Sequence, residues 1–355
     1  MPYPANESTL WSNVLFFLGV EVMAAMKLGI IGVGIMGERV MNAVLRHDPS
    51  VVELGGIWDP SGDTMARIAA EHPTVPVKDG PDAVIASSDC LYIASPPVTH
   101  LDYARRAMEK GLSVLTEKPL AVDLGDAVAF VDEVEERKAR AAVNFIFASS
   151  PGVEHLRRWI AEGAVGQVES LTIDLAYAAW PRPWQMDALG WLDKREQGGF
   201  TREIASHFLF LTRRLVGPIV LKSASATYPD GPDGDSSETA ISAEIEAGGI
   251  PVTLKGSVAT TDKPDHCEWT LKGRDGSVRL ADWTRGLKLG ADGEWEEHPD
   301  CLPLAETRPI LLKGQLDKLA ALTAGTPLPE GAFPLATVQE ALEVQRMVET
   351  ILASG

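Results

Sequence analysis

Cysteine, basic residues and long apolar runs are all scarce in this sequence. Its 355 residues include only Cys90, Cys267 and Cys301. The number is odd and no C-x-x-C spacing occurs, which argues against a disulfide framework or a zinc knuckle. Isolated thiols fit a reducing compartment, so a cytoplasmic protein is expected. Lys and Arg total 32 against 50 Asp and Glu, a net charge of −18. Such a surface repels phosphate backbones and anionic lipid, so neither nucleic acid nor a membrane is expected as partner. The apolar stretch Val14 to Val20 (VLFFLGV) is far shorter than the roughly 20 residues of a membrane span. Before Lys27 the charged residues are Glu7 and Glu21, the reverse of a signal peptide's basic start. Residues 1–25 are expected to be an extension outside the core fold. The seven histidines are scattered and H-E-x-x-H is missing, so no metal is expected.

What is present is ordinary globular composition: 45% hydrophobic and 23% charged residues, enough to bury a sizeable core. At about 100–200 residues per domain, two domains are expected. From Lys27 apolar runs alternate with amphipathic stretches. KLGIIGVG, VVELGGIWD (Val51–Asp59), Val75–Val77, CLYIAS (Cys90–Ser95), SVLTEKP and AAVNFIF (Ala141–Phe147) read as strands. Helices are expected at Glu38–His47, Ser61–His72, Asp82–Ser87, Thr99–Lys110 and Leu124–Arg140. That alternation predicts an α/β domain over 26–147, a parallel sheet covered on both faces.

The grammar changes after Pro151. A helix (Val153–Ala161), a strand (Val168–Ala178), a Trp- and Pro-rich loop and a helix (Arg202–Leu215) precede a series of strands from Ile219 to Leu289. Turns such as EAGGIP and GRDGS separate those strands without intervening helices, which means antiparallel pairing. Two helices near Leu311–Ala324 and Leu335–Leu352 close the chain. Residues 148–355 are thus expected to form an α+β domain with an open, mostly antiparallel sheet. An open face invites a second copy, so a homodimer or homotetramer through that sheet is expected.

Gly32-Val33-Gly34-Ile35-Met36-Gly37 follows the first strand and opens a helix. Gly32 permits the turn, Gly34 admits a pyrophosphate to the backbone, and Gly37 lets helix and sheet approach. The helix offers its free N–H groups, including those of Ile35 and Met36, to the phosphates. Asp59 stands about twenty residues beyond Gly37, where a carboxylate binds both adenosine ribose hydroxyls. A Rossmann dinucleotide-binding domain follows. Asp59 repels a 2′-phosphate, so NAD is favoured; Ser61, a hydroxyl beside it, leaves NADP open.

GVGIMG, IASPPVTH (Ile93–His100) and TEKPL (Thr116–Leu120), in that order and spacing, resemble the glucose–fructose oxidoreductase / inositol dehydrogenase / rhizopine-catabolism (Gfo/Idh/MocA) family. The resemblance runs over nearly the whole chain from Met26 and is strongest over 27–147. It implies that Lys118 lies beside the nicotinamide and contacts the substrate hydroxyl, with Glu117 near the nicotinamide ribose and a cis Lys118–Pro119 bond. It implies that Ser95, Pro96 and Pro97 line the cofactor cleft. His100 either contacts the cofactor or only bonds locally at its helix start. Relatives carry a Gly-Gly turn, an Asp, then a His four residues on. Here Gly198-Gly199 precede Glu203 and His207, and Ala205 replaces a usual Gly.

Glu203 and His207 are four apart on a helix, so a carboxylate is expected beside an imidazole, orienting it and raising its basicity. The carboxylate could instead act on Lys118 or the substrate. Trp180, Trp184 and Trp191 offer aromatic faces for a sugar ring, Trp184 being the chosen substrate contact. Arg182 could bind a substrate carboxylate, although an exposed arginine is the favoured reading, and Asn144 is a candidate for substrate or cofactor contact. The expected activity is NAD(P)-dependent oxidation or reduction at a secondary alcohol or carbonyl of a sugar, polyol or derivative. His207 is the first choice as acid/base, with Lys118 holding the oxygen's developing charge or itself carrying the proton. The competing expectations are a hydrolase or lyase that oxidises a sugar transiently on bound NAD, and a non-enzymatic dinucleotide sensor.

Overall fold

The computed structural model describes residues 24–231, 233–260 and 265–355. The extension expected at 1–25 lies, over 1–23, outside the described residues.

The first sheet takes its parallel strands from β1 (Met26–Ile31), β2 (Val52–Trp58), β3 (Cys90–Ile93), β4 (Ser113–Thr116) and β5 (Ala141–Val143). Their order is β5-β4-β3-β1-β2. Every residue of β3 and β4 is buried, which explains why these strands read as unbroken apolar runs. The helices are α1 (Ile35–Leu45), α2 (Gly62–Glu71), α3 (Pro81–Ala86), α4 (His100–Glu109) and α5 (Leu124–Arg137). Ser61 caps α2, its side chain accepting from Thr64 N. Gly111 lies just past the end of α4 with φ +78°, the left-handed step that ends a helix cheaply only for glycine.

Two strand expectations shrink. Val75–Val77 contributes a single bridge, Val77 to Ile57. The run Ala141–Phe147 leaves the sheet after Val143 and coils into a helical turn at Ile146–Ser149. Phe145 and Phe147 are buried against side chains rather than in the ladder. A short apolar run carries no period that distinguishes these alternatives.

The second sheet contains β6 (Val168–Tyr177), β7 (Ile219–Thr227), β8 (Ala240–Ala247), β9 (Ile250–Val258), β10 (His266–Gly273), β11 (Ser277–Ala281), β12 (Arg285–Leu289) and β13 (Trp295–Glu297). Its order is β13-β12-β11-β10-β6-β9-β8-β7, antiparallel except for the β6–β9 pair. Along β6, Leu171, Ile173, Leu175 and Tyr177 are buried while Thr172 and Asp174 are exposed. The alternation puts one face against α6 (Pro151–Ala161) and α7 (Ser206–Leu215) and leaves the other polar.

The chain does not stay in the second domain. Helix α8 (Leu304–Ala324) buries Leu311, Leu312, Leu316 and Leu319 in the same cluster as Leu28, Ile30 and Tyr92 of the first sheet. Each such side chain contributes about 1.5–3 kcal/mol when fully buried. Strand β14 (Ala336–Thr337) then pairs antiparallel with β5. The last helix, α9 (Val338–Leu352), starts with a Thr337–Glu340 capping box. An undivided second domain over 148–355 therefore does not describe the packing. A helix's apolar stripe records that it is covered, not by which domain.

Candidate active site

One cleft of about 480 Å³ lies between the two domains, outside the C-terminal ends of β1, β3, β4 and β5. In open α/β sheets ligands occupy that position. Lys118, Glu203, His207, Asn144, Asp59 and most of the glycine loop line this cleft, whereas Gly37, Ser61 and Trp180 do not. The glycine loop makes its first wall. Gly32 has φ +89°, and a Cβ there would meet Ser95 N at 2.5 Å. A Cβ on Gly37 would stand 1.8 Å from Gly32 O, so the helix start presses directly on the turn. Around Gly34 a Cβ would meet nothing within 4 Å, and no side chain caps α1. The first N–H groups of a helix then face open space that suits a pyrophosphate. Asp59 bonds the loop: Oδ2 accepts from Val33 N at 2.8 Å and Oδ1 from Ser61 N at 2.9 Å.

The second wall follows β3 and β4. The Lys118–Pro119 bond is cis, as the resemblance implies. His100 is buried, with Nδ1 2.8 Å from Pro119 O and Nε2 2.9 Å from Ser95 O. Burial lowers its pKa to about 4 despite those carbonyls, and Lys118 adds to the lowering. A neutral ring carries one N–H and so donates to only one of these two backbone carbonyls. Glu117 is buried and accepts from Tyr92 Oη and from Asn144 Nδ2, both at 2.5 Å. Burial raises the Glu117 pKa, while Lys118 and these donors oppose the rise. Asn144 Oδ1 accepts from Gln315 of α8. Asn144, proposed as a ligand contact, thus spends its amide inside this buried network.

The third wall comes from the second domain. A π-turn, Thr201–Ala205, leads into α7. Its i→i+5 bonding shifts residues four apart out of line. Glu203 accordingly makes no hydrogen bond to His207. Its carboxylate instead pairs with the Lys118 ammonium, and its carbonyl accepts from Lys118 Nζ at 3.2 Å. Gln185 Nε2 donates to the other Glu203 carboxylate oxygen at 3.2 Å. His207 is 5% exposed and its Nδ1 has no partner among the described residues. Burial first, then Lys118 and Arg182, push its pKa well below the usual histidine value. The Glu203 carboxylate therefore meets Lys118, one of the partners expected for it, and the surroundings of His207 lower its basicity instead of raising it.

Trp184 lines the cleft and is exposed, and the Arg39 and Arg182 guanidinium carbons lie 4.7 and 4.6 Å from its ring centroid, close enough for cation–π attraction. Trp180 packs edge-on against Phe200 and is absent from the cleft wall, whereas Trp191 lines it. Sequence reasoning missed Gln185, Tyr92 and Trp283. Asp282 and Trp283 have φ of +49° and +72°, an uncommon conformation for such residues. That turn brings Trp283 edge-on to His207, ring centroids 5.6 Å apart. Nothing in a bland β-turn marks it. The histidines are not all scattered either: His155 and His298 stack 3.6 Å apart beside Asp300, a group able to hold a metal, away from the cleft wall.

A glycine loop at a helix start, with a carboxylate at the end of the next strand, defines a dinucleotide-binding α/β domain. Residues 26–145 match the model described as oxidoreductase family, NAD-binding Rossmann fold, and 153–279 match that family's C-terminal domain. The chain belongs to the Gfo/Idh/MocA family and contains its NAD-binding Rossmann domain. UDP-N-acetylglucosamine 3-dehydrogenase of Acidithiobacillus ferrooxidans is 31% identical over 141 residues, 38% of this chain and 42% of that one. Inositol 2-dehydrogenase of Rhizobium meliloti is 26% identical over 218 residues, 60% and 62% of the two chains. The chain thus spans about half the length of several curated relatives it matches. An Agrobacterium radiobacter oxidoreductase, solved with NAD+, L-tartaric acid and magnesium, shares the fold: TM-score 0.77, 17% identity, 93% and 96% of the chains covered. No helix among the described residues is long and apolar enough to cross a membrane.

Proposed function

We propose that this protein is an NAD(P)-dependent dehydrogenase or reductase acting on a secondary alcohol or carbonyl of a sugar, polyol or derivative. The observation that carries the reading is a Lys118–Glu203 ion pair and a neutral, unpartnered His207 on one cleft with the glycine loop. NAD, when bound by the Gly32–Gly37 loop and Asp59, supplies the acceptor or donor of hydride. The residues handle the proton. A neutral His207 ring keeps a lone pair on one of its two nitrogens, and that nitrogen takes the substrate hydroxyl proton. Lys118 donates a hydrogen bond to the same oxygen and holds its growing negative charge. Glu203 keeps the ammonium aimed, with Gln185 fixing the carboxylate's other oxygen. Phe145, Phe147 and Trp283 surround the His207 ring. They fix its orientation and keep water from competing for the proton.

Asp59 favours NAD over NADP by repulsion of a 2′-phosphate. The three free thiols, two of them buried, support a reducing, cytoplasmic setting. Assembly of two or four copies through the open face of the second sheet is part of the same reading.

The test is absorbance of reduced nicotinamide when NAD or NADP is mixed with the protein and a panel of sugars, polyols and sugar acids. A rise with one class of substrate is expected. Tight NAD binding with substrate conversion but no net reduced cofactor would replace this reading with transient oxidation and elimination.

A further inference from the structure

Three arginines line the cleft from three separate elements, and the charges of Arg182 and Arg308 are felt at Arg39. Arg39 comes from α1, Arg182 from the loop after β6, and Arg308 from α8. All three are half-buried. Among the described residues none has a carboxylate within ion-pair distance. Arg39 reaches only Met36 Sδ at 3.5 Å, and Arg182 Nε donates to Gln185 Oε1 at 2.9 Å. Elsewhere carboxylates are plentiful and used: Arg105 pairs with Glu133, Arg202 with Glu349, Arg214 with Glu340. In a chain of net charge −18, the carboxylate whose charge is felt at Arg39 is Glu203, which is paired with Lys118.

The grouping has a cost. Burial lowers the Arg39 pKa, and Arg308 and Arg182 lower it further; burial and Arg182 likewise lower that of Arg308. Like charges brought together out of water persist where an anion offsets them. The position also fits substrate rather than adenosine. Arg182 is joined through Gln185 to Glu203 and so to Lys118, and its charge is felt at His207. The Arg39 and Arg182 guanidinium carbons both lie within 4.7 Å of the Trp184 ring centroid, so one aromatic ring restrains both cations at the cleft.

We propose that Arg39, Arg182 and Arg308 seat an anionic group of the substrate, a carboxylate or a phosphate, so that the natural substrate is an acidic sugar derivative rather than a neutral polyol. This rests on the dehydrogenase reading. The seat holds one end of the substrate while Lys118 and His207 meet its reacting oxygen.

The test titrates the NAD-loaded protein with inorganic phosphate, gluconate and neutral sorbitol, by tryptophan fluorescence and calorimetry, with sodium chloride at matched ionic strength. Saturable binding of phosphate or gluconate in the millimolar range or tighter is expected, with sorbitol and chloride silent. The tighter anion names the source, phosphate ester or sugar acid. Arg182→Met and Arg308→Met each weaken that binding by at least about tenfold. Arg285→Met, which removes a surface arginine paired with Glu297, leaves it unchanged. The proposal is overturned by a chloride response equal to that of phosphate, by no saturable binding, or by arginine variants that bind as well as the parent. It is overturned too if saturating NAD abolishes phosphate binding seen without it, for then the arginines serve the cofactor's pyrophosphate. NAD binding measured separately keeps two failures apart. Loss of anion binding with NAD binding intact removes only this inference, whereas a protein that never binds NAD removes the dehydrogenase reading beneath it.

Discussion

The two ends of the cleft are built by different rules. The cofactor end is local: six consecutive residues, Gly32 to Gly37, and one carboxylate, Asp59, at the end of the next strand. Its working groups are backbone N–H groups, and its one side-chain charge is negative. The substrate end is assembled from afar. Lys118 follows β4, Glu203 and His207 sit on the π-turn and α7, Gln185 and Arg182 lie in a loop, and Arg308 comes from α8. Its charges are mostly positive and its partners are side chains. The contrast shows where a sequence motif carries chemistry on its own and where chemistry waits for the fold.

The largest effect should come from breaking the substrate end at Lys118. Lys118→Met is expected to lower kcat by about a thousandfold, the scale of losing a preorganised donor at a charged transition state. NAD affinity, measured by calorimetry, should stay within about twofold if the two ends are independent. The double variant Lys118→Met, Glu203→Gln should be no slower than the single one, because Glu203 acts through the lysine. Additive losses in the double variant would mean that Glu203 has a separate task.

Next comes His207. His207→Asn is expected to reduce kcat about a hundredfold. The parent's alcohol oxidation should hold steady as pH falls through 6.5 and decline only below it. The sign follows from the depressed pKa: the ring stays neutral, and able to accept a proton, where an ordinary histidine is already charged. The asparagine variant should lose that acid limb. A limb centred at ordinary histidine pH, or one that survives in the variant, would assign the proton to another group.

These two predictions also mark what could be read in the sequence. The cofactor end was legible because each residue answers to a neighbour in the chain: a turn, a helix start, a strand end. Lys118 and His207 were legible only through the family resemblance. The spacing of Glu203 and His207 misled, since four residues share a face only in a regular α-helix, and a π-turn intervenes. Nothing local announces that Arg39, from the other domain, shares the Trp184 ring with Arg182. The return of α8 to the first sheet was hidden for the same reason. Amphipathic pattern records how much of a helix is covered, and the identity of the covering face is a property of the whole chain.

The smallest effect is expected at Asp59, and it sharpens the comparison most. Both carboxylate oxygens are anchored by backbone N–H groups, so the charge is fixed in place with lone pairs left for two hydroxyls. Asp59→Asn removes the charge and one acceptor while keeping the shape. NAD affinity should fall by about tenfold, the worth of a charge-assisted bond at a partly exposed site. Affinity for NADP should rise, because the repulsion of a 2′-phosphate is gone, and kcat at saturating cofactor should be nearly that of the parent. Isothermal titration with both cofactors, at two salt concentrations, separates the contributions: the gain for NADP is electrostatic and shrinks with salt, whereas a lost hydrogen bond to the ribose does not. If kcat fell with affinity, the glycine loop and the lysine–histidine pair would be one coupled unit, and the division of the cleft into a local end and an assembled end would fail.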